Sequence, residues 1–83
     1  MKLNDRILQH VVDRHLVPAW KTAQETLELR AGDVHKEMRL LNRMPVVCSV
    51  LGSNRFKTLT RVYLLDRQGP QNGANAIFKY RPR

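Results

Sequence analysis

The stretch GDVHKEMRLLNRMPVVCSVLG, residues 32–52, holds two helical patterns separated by a three-residue break. Asp33 is a suitable cap for a helix over 33–41, with Val34, Met38 and Leu41 on its inner face. Leu41, Asn42 and Arg43 interrupt the period. Asn42 is suited to cap a second helix over 43–53, and Pro45 falls in its first turn, where a missing N–H costs little. This second helix turns Met44, Val47, Val50 and Leu51 inward. Gly52-Ser53-Asn54 marks its end, although Arg55 to Leu59 could add another turn.

Working outward, residues 4–16 form a strong amphipathic pattern. Leu3, Ile7, Leu8, Val11, Val12 and Leu16 recur at spacings of three to five, with Asp5, Arg6, Gln9, Asp13 and Arg14 opposite. Asn4 is a suitable N-cap, and Leu3 with Leu8 fits a hydrophobic staple. Pro18 disfavours helix at Val17, so the helix should end or kink there. Residues 19–25 are ambiguous, and Trp20 reads as a core or interface anchor. Thr26 to Arg30 alternates, which predicts a short strand over 26–30.

Downstream, RVYLLDRQGPQNGANAIFKYR spans residues 61–81 and reads as a hairpin. Arg61–Gln68 and Ala74–Arg81 are its strands, and the Gly-Pro-Gln-Asn-Gly segment between them is dense in turn formers. A protruding loop lined by Arg67, Gln68, Gln71, Asn72 and Asn75 suits a phosphate backbone or a minor groove. The whole predicts one α+β domain over residues 1–83, with three helices and a C-terminal antiparallel sheet of two or three strands.

Charge narrows the partner. The 83 residues carry 15 Lys and Arg against seven acids, a net charge of +8. Residues 1–42 are nearly balanced, with seven cations against six acids. Residues 43–83 hold eight cations (Arg43, Arg55, Lys57, Arg61, Arg67, Lys79, Arg81 and Arg83) against Asp66 alone, a net of +7. Such an imbalance points to a polyanion and predicts one continuous cationic surface. Lys79, Arg61 and Arg81 can equally be solvated strand-edge charges.

Several classes are set aside. The longest nearly apolar run, Met44 to Leu51, is far below the roughly 20 residues that span a bilayer. The charged N-terminus does not read as a signal peptide. A lone Cys48 fits a reducing compartment, so a cytoplasmic location is expected. Cys48 reads as a small semi-buried residue. His10, Asp13 and His15 are the only cluster of ligand-type side chains. Five residues on a regular helix place the two histidines well apart around it, so no metal is expected. With no phosphate loop, no nucleophile-and-base pattern and one acid in the basic half, neither catalysis nor a cofactor is expected.

In the order helix, strand, helix, turn, helix, strand, loop, strand, the chain resembles the winged-helix branch of helix-turn-helix DNA-binding domains. The resemblance covers roughly residues 4–81, carried by the two quoted segments. It implies that helix 43–53 enters the major groove and that Asn42 and Arg43 meet base edges. Ser49 and Ser53 would reach phosphate or base, and Val46 a thymine methyl or the core. Asn54, Arg55 and Lys57 would grip the backbone, and Arg67 with Gln71, Asn72 and Asn75 would reach the adjacent groove. Neutralising about five phosphates gives a salt slope near −4 to −5. A homodimer on a palindromic site, formed through the first helix or the Trp20 segment, is compatible with this. So is another use of the same fold, a protein-docking module with Pro45 and Val46 at the interface. Structured RNA is a third partner class, and the scarcity of exposed aromatics argues against single strands.

Overall fold

The computed structural model describes residues 2–82. Its first helix, α1, passes through the proline expected to end or kink it. Leu3–Val11 is α-helical, Val12–Leu16 is a π-helical turn, and Val17–Lys21 resumes the α-helix. Pro18 has no N–H to donate into the preceding turn. A wider turn at that point, closed by Val17 N–H on the Val12 carbonyl, carries the chain past the defect.

The wider turn also overturns the expectation that His10 and His15 diverge. Their rings meet edge to face with centroids 6.1 Å apart, and both Nε2 atoms lie 2.8 Å from Oε1 of Glu37.

β1 (Leu27–Arg30) runs directly into α2 (Ala31–Glu37). Asp33 is therefore inside the helix rather than its cap. The first-turn donors are satisfied by the hairpin loop instead: Ala31 N–H reaches Ala76 O, and Gly32 N–H reaches Ala74 O, both at 2.9 Å. A Cβ at Gly32 would stand 2.7 Å from that Ala74 oxygen, which is why glycine sits there.

α2 stops four residues short of the predicted Leu41. Arg39 takes a left-handed conformation (φ 55°), as does Asn42 (φ 54°). Two left-handed residues thus turn the chain without a glycine, and asparagine is among the side chains that tolerate this best. Asn42 is consequently not the N-cap expected of it. Arg43 precedes the first residue of α3 (Met44–Leu51), and its N–H is received by His35 Nε2 at 3.3 Å. Leu41, expected inside, is 82% exposed at the apex of this turn.

The extra turn suggested for Arg55–Leu59 is a separate helix, α4 (Asn54–Thr60). Ser53 caps it: its Oγ accepts from Phe56 N–H at 3.1 Å and donates to Val50 O at 2.8 Å. The break lets Phe56 turn inward and become fully buried.

β2 (Tyr63–Gln68) and β3 (Ile77–Arg81) complete an antiparallel sheet of order β1-β3-β2. Leu29, Phe78 and Tyr80 face the helices, with Ile7, Val11, Leu16, Val34, Val47, Leu51 and Phe56 filling the space between. Tyr80 stacks edge to face on Phe56 at 5.4 Å and donates its hydroxyl to the Leu51 carbonyl. Trp20 is half-buried and donates from Nε1 to Pro82 O at 3.1 Å, tying the end of the chain to α1. The described residues therefore form a small α+β domain of four helices, one more than the sequence predicts, and a three-stranded antiparallel sheet. Among the described residues no helix is long and apolar enough to cross a membrane.

Candidate nucleic-acid interface

α3 buries Val47, Cys48, Val50 and Leu51 against the core and leaves Pro45 and Ser49 exposed, with Val46 half-buried beside them. Asn42 and Arg43 are exposed at its start, and the Arg43 guanidinium rests 3.3 Å from the Asn42 carbonyl. Asn42, Arg43, Pro45 and Ser49 thus make the outward side of this helix. No acid occurs from Met38 to Leu65, so no carboxylate from that stretch opposes an anion there.

Where α3 meets α1, Ser49 also borders a shallow cleft, together with Ser53, Arg55, Asn4 and Leu8. Both functions of the Ser53 hydroxyl, donor and acceptor, are engaged at the start of α4, so its expected contact role competes with a capping role. Arg55 is likewise engaged, its Nη2 lying 2.5 Å from Asp5 Oδ1. Asn54 is exposed and Lys57 half-buried on α4.

The loop between β2 and β3 is exposed from Gln68 to Asn72, while its returning limb is fastened to the helices. Its carbonyls cap α2, and the Gly73 carbonyl lies 4.0 Å from Cys48 Sγ on α3. Gly69 adopts φ 87°, and a Cβ there would meet Asn75 O at 2.5 Å, so the loop is crossed tightly at its base. Asn75 accepts from Arg30 Nη2 at 2.5 Å, while Arg30 Nη1 also reaches Asp33 at 3.1 Å. Gln68 is held by Asp66 at 2.9 Å. The side chains of Gln71 and Asn72 are exposed at the tip.

Arg67 turns back rather than outward. Its guanidinium lies 4.8 Å over the Phe78 ring and donates to the Gln71 carbonyl. A Cβ at Gly52 would come within 3.4 Å of Nη1, so the cation sits over the break between α3 and α4. Below it, burial pushes the Cys48 thiol above its ordinary value, and the charge of Arg67 only partly offsets that. A deeply buried, protonated thiol is poorly placed to react.

The cationic half is not one continuous face. Lys79 and Arg81 alternate with Phe78 and Tyr80 along β3 and therefore lie on the opposite side of the sheet from the helices. Lys79 stands in register between Glu28 and Asp66, so its cross-strand neighbours on that face carry the opposite charge. Arg61 closes α4 in a left-handed conformation, φ 58°.

The structure therefore gathers Asn42 and Arg43 at the start of α3 with Ser49 on it, and brings the loop carrying Gln71 and Asn72 up to that helix. It separates Arg55, Arg67 and Asn75 into intramolecular contacts. The left-handed Asn42 had a sequence signal in its residue type, whereas the partners of Arg55 and Arg67 had none. Comparison with protein-family models, curated proteins and solved structures finds no match to this chain.

Proposed function

We propose that this domain is a winged helix that binds double-stranded DNA by placing α3 in the major groove and the β2–β3 loop on the adjoining backbone. The observation that carries this is the outward side of α3: polar or small side chains, led by Arg43, in a stretch without a carboxylate from Met38 to Leu65. The connectivity supports it, with β1 between α1 and α2, β3 central, and α2 packed against α3. Arg43 can pair with guanine and Asn42 with adenine, while Val46 offers a methyl contact to thymine. Lys57, Gln71 and Asn72 contribute backbone contacts, which position without discriminating. The domain acts by binding and not by catalysis.

Because Arg55 and Arg67 are held by Asp5 and Phe78, fewer phosphates are neutralised than the charge total implies. Arg39 before α3, Arg43 at its start and Lys57 on α4 have no acidic partner among the described ion pairs, and these three cations give a salt slope near −3 instead of about −4 to −5. A two-fold dimer would place two copies of α3 on one palindromic site. A second reading is favoured by Leu41, whose 82% exposure leaves an apolar side chain bare in the turn that leads into α3. That side chain suits docking onto another protein.

Fluorescence anisotropy with a short random duplex between about 50 and 200 mM salt separates the two. DNA binding requires micromolar affinity or better at the low end with a slope near −3. A flat, weak response across the range rules it out and leaves docking.

A further inference from the structure

Away from α3, the middle of α1 and the last turn of α2 bring two imidazoles and a carboxylate to one point. Nε2 of His10 and Nε2 of His15 each lie 2.8 Å from Oε1 of Glu37, and all three atoms are within 4.8 Å of one another. On a regular α-helix, residues five apart point about 140° away from each other. The π-helical turn at Val12–Leu16 brings five residues close to one full turn, so His10 and His15 share a face. Pro18, by making that wider turn favourable, is the indirect cause of the cluster. The side chains are 18%, 23% and 32% exposed, sheltered yet open to an ion from solvent.

We propose that His10, His15 and Glu37 form a binding site for a divalent transition-metal ion of the zinc class, held by two imidazole nitrogens and one carboxylate oxygen. A tetrahedral ion with ligands at about 2.0–2.1 Å needs donor atoms about 3.3 Å apart. The present separations, 2.8 Å to the carboxylate and at most 4.8 Å overall, bracket that value. Small rotations of three partly exposed side chains therefore complete the geometry. Both histidines offer the same nitrogen, leaving Nδ1 free for an outer partner. The fourth position opens to water. Two nitrogens and one oxygen suit zinc, cobalt or nickel, whereas magnesium and calcium prefer all-oxygen sites. His35 lies elsewhere, bonded to Arg43 N–H, and Cys48 is buried under the loop. The ion would clamp helices whose ligands are 22 and 27 residues apart in sequence. This site stands independently of DNA binding.

Titrating the untagged, metal-free full chain with Co²⁺ near neutral pH tests it. One equivalent should give the visible absorption of a low-coordinate cobalt centre, which Zn²⁺ then displaces and Mg²⁺ does not. Because an ion that binds the folded state alone stabilises it, Zn²⁺ at about a hundredfold excess over Kd should raise Tm by about 10 °C or more. His15→Ala and Glu37→Gln should abolish both responses. In the unmutated chain, Zn²⁺ should shift the imidazole NMR signals of His10 and His15 and leave His35 in place, a readout that does not depend on any variant folding. No saturable cobalt spectrum, an unchanged Tm, or shifts at His35 instead would overturn the assignment.

Discussion

The guanidinium of Arg67 caps the ring of Phe78, its register partner across β2 and β3, at 4.8 Å from the centroid. The pairing depends on a bulge. Leu64 faces Tyr80 and Asp66 faces Lys79, so Leu65 is the extra residue. Were Leu65 paired regularly with Lys79 instead, Asp66 would fall on the inner face opposite Phe78 and Arg67 on the outer one opposite Ile77. The bulge turns a cation expected on DNA into the lid of the core and the anchor of the loop at Gln71.

Arg67→Ala should therefore act first on stability. Losing the contact of this solvent-exposed cation with the Phe78 ring costs about 0.5–1 kcal/mol, which lowers Tm by about 2–8 °C in a domain of this size. The salt slope of duplex binding should hardly change. A slope flattened by a full unit with Tm unaltered would mean that Arg67 instead swings out to phosphate.

Arg43→Ala should show the reverse pattern. Its side chain is exposed and has no acidic partner among the described ion pairs, so Tm should stay within about 2–4 °C of the parent. On a duplex obtained by selection, preference over random DNA should fall by about 1–3 kcal/mol. The check is paired anisotropy titrations on selected and scrambled duplexes.

Ser53→Ala removes an N-cap and leaves the N–H of Phe56 without its acceptor. A loss of about 1 kcal/mol is expected from urea unfolding, with the salt slope unchanged. Ser53→Asp, which retains an acceptor at the start of a helix, should recover most of it.

Tyr80 makes stability fall at alkaline pH. Burial holds its phenol far above the ordinary value of 10.0, against a smaller opposing effect from Arg67. The folded state keeps this proton when the unfolded state releases it. The contribution is thus complete below about pH 10 and declines as pH rises, by up to about 1.4 kcal/mol per unit. Urea midpoints measured from pH 9 to about 11 should drop steeply for the parent and less steeply for Tyr80→Phe. That variant starts lower at neutral pH because the Leu51 carbonyl loses its donor, a cost of about 1–3 kcal/mol.

Much of the architecture was legible along the chain. The spacing of Ile7, Val11 and Leu16, the alternation at Leu27 and Leu29, and the turn formers at Gly69 to Gly73 each depend on neighbours a few residues away. Periodicity registers such preferences directly. The boundaries that failed did so where a distant group intervened. Ala31 and Gly32 start α2 early because loop carbonyls more than 40 residues downstream cap it. Asn42 reads both as a turn residue and as a cap, since its side-chain chemistry suits either, and the fold uses it in the turn.

The contact surface was legible only as a net charge. That Arg43 stays exposed, Arg55 meets Asp5, Arg67 covers Phe78 and Lys79 faces the opposite side follows from which elements pack together and from one extra residue in β2. The same holds for His10, His15 and Glu37, which become neighbours through a single widened helical turn and a second helix laid across it. Composition and local pattern dictate what each segment prefers to become. Where a charged or ligating side chain finally points is set by long-range packing, because electrostatic and coordinate bonds form between whichever groups the buried apolar faces have brought within a few ångströms.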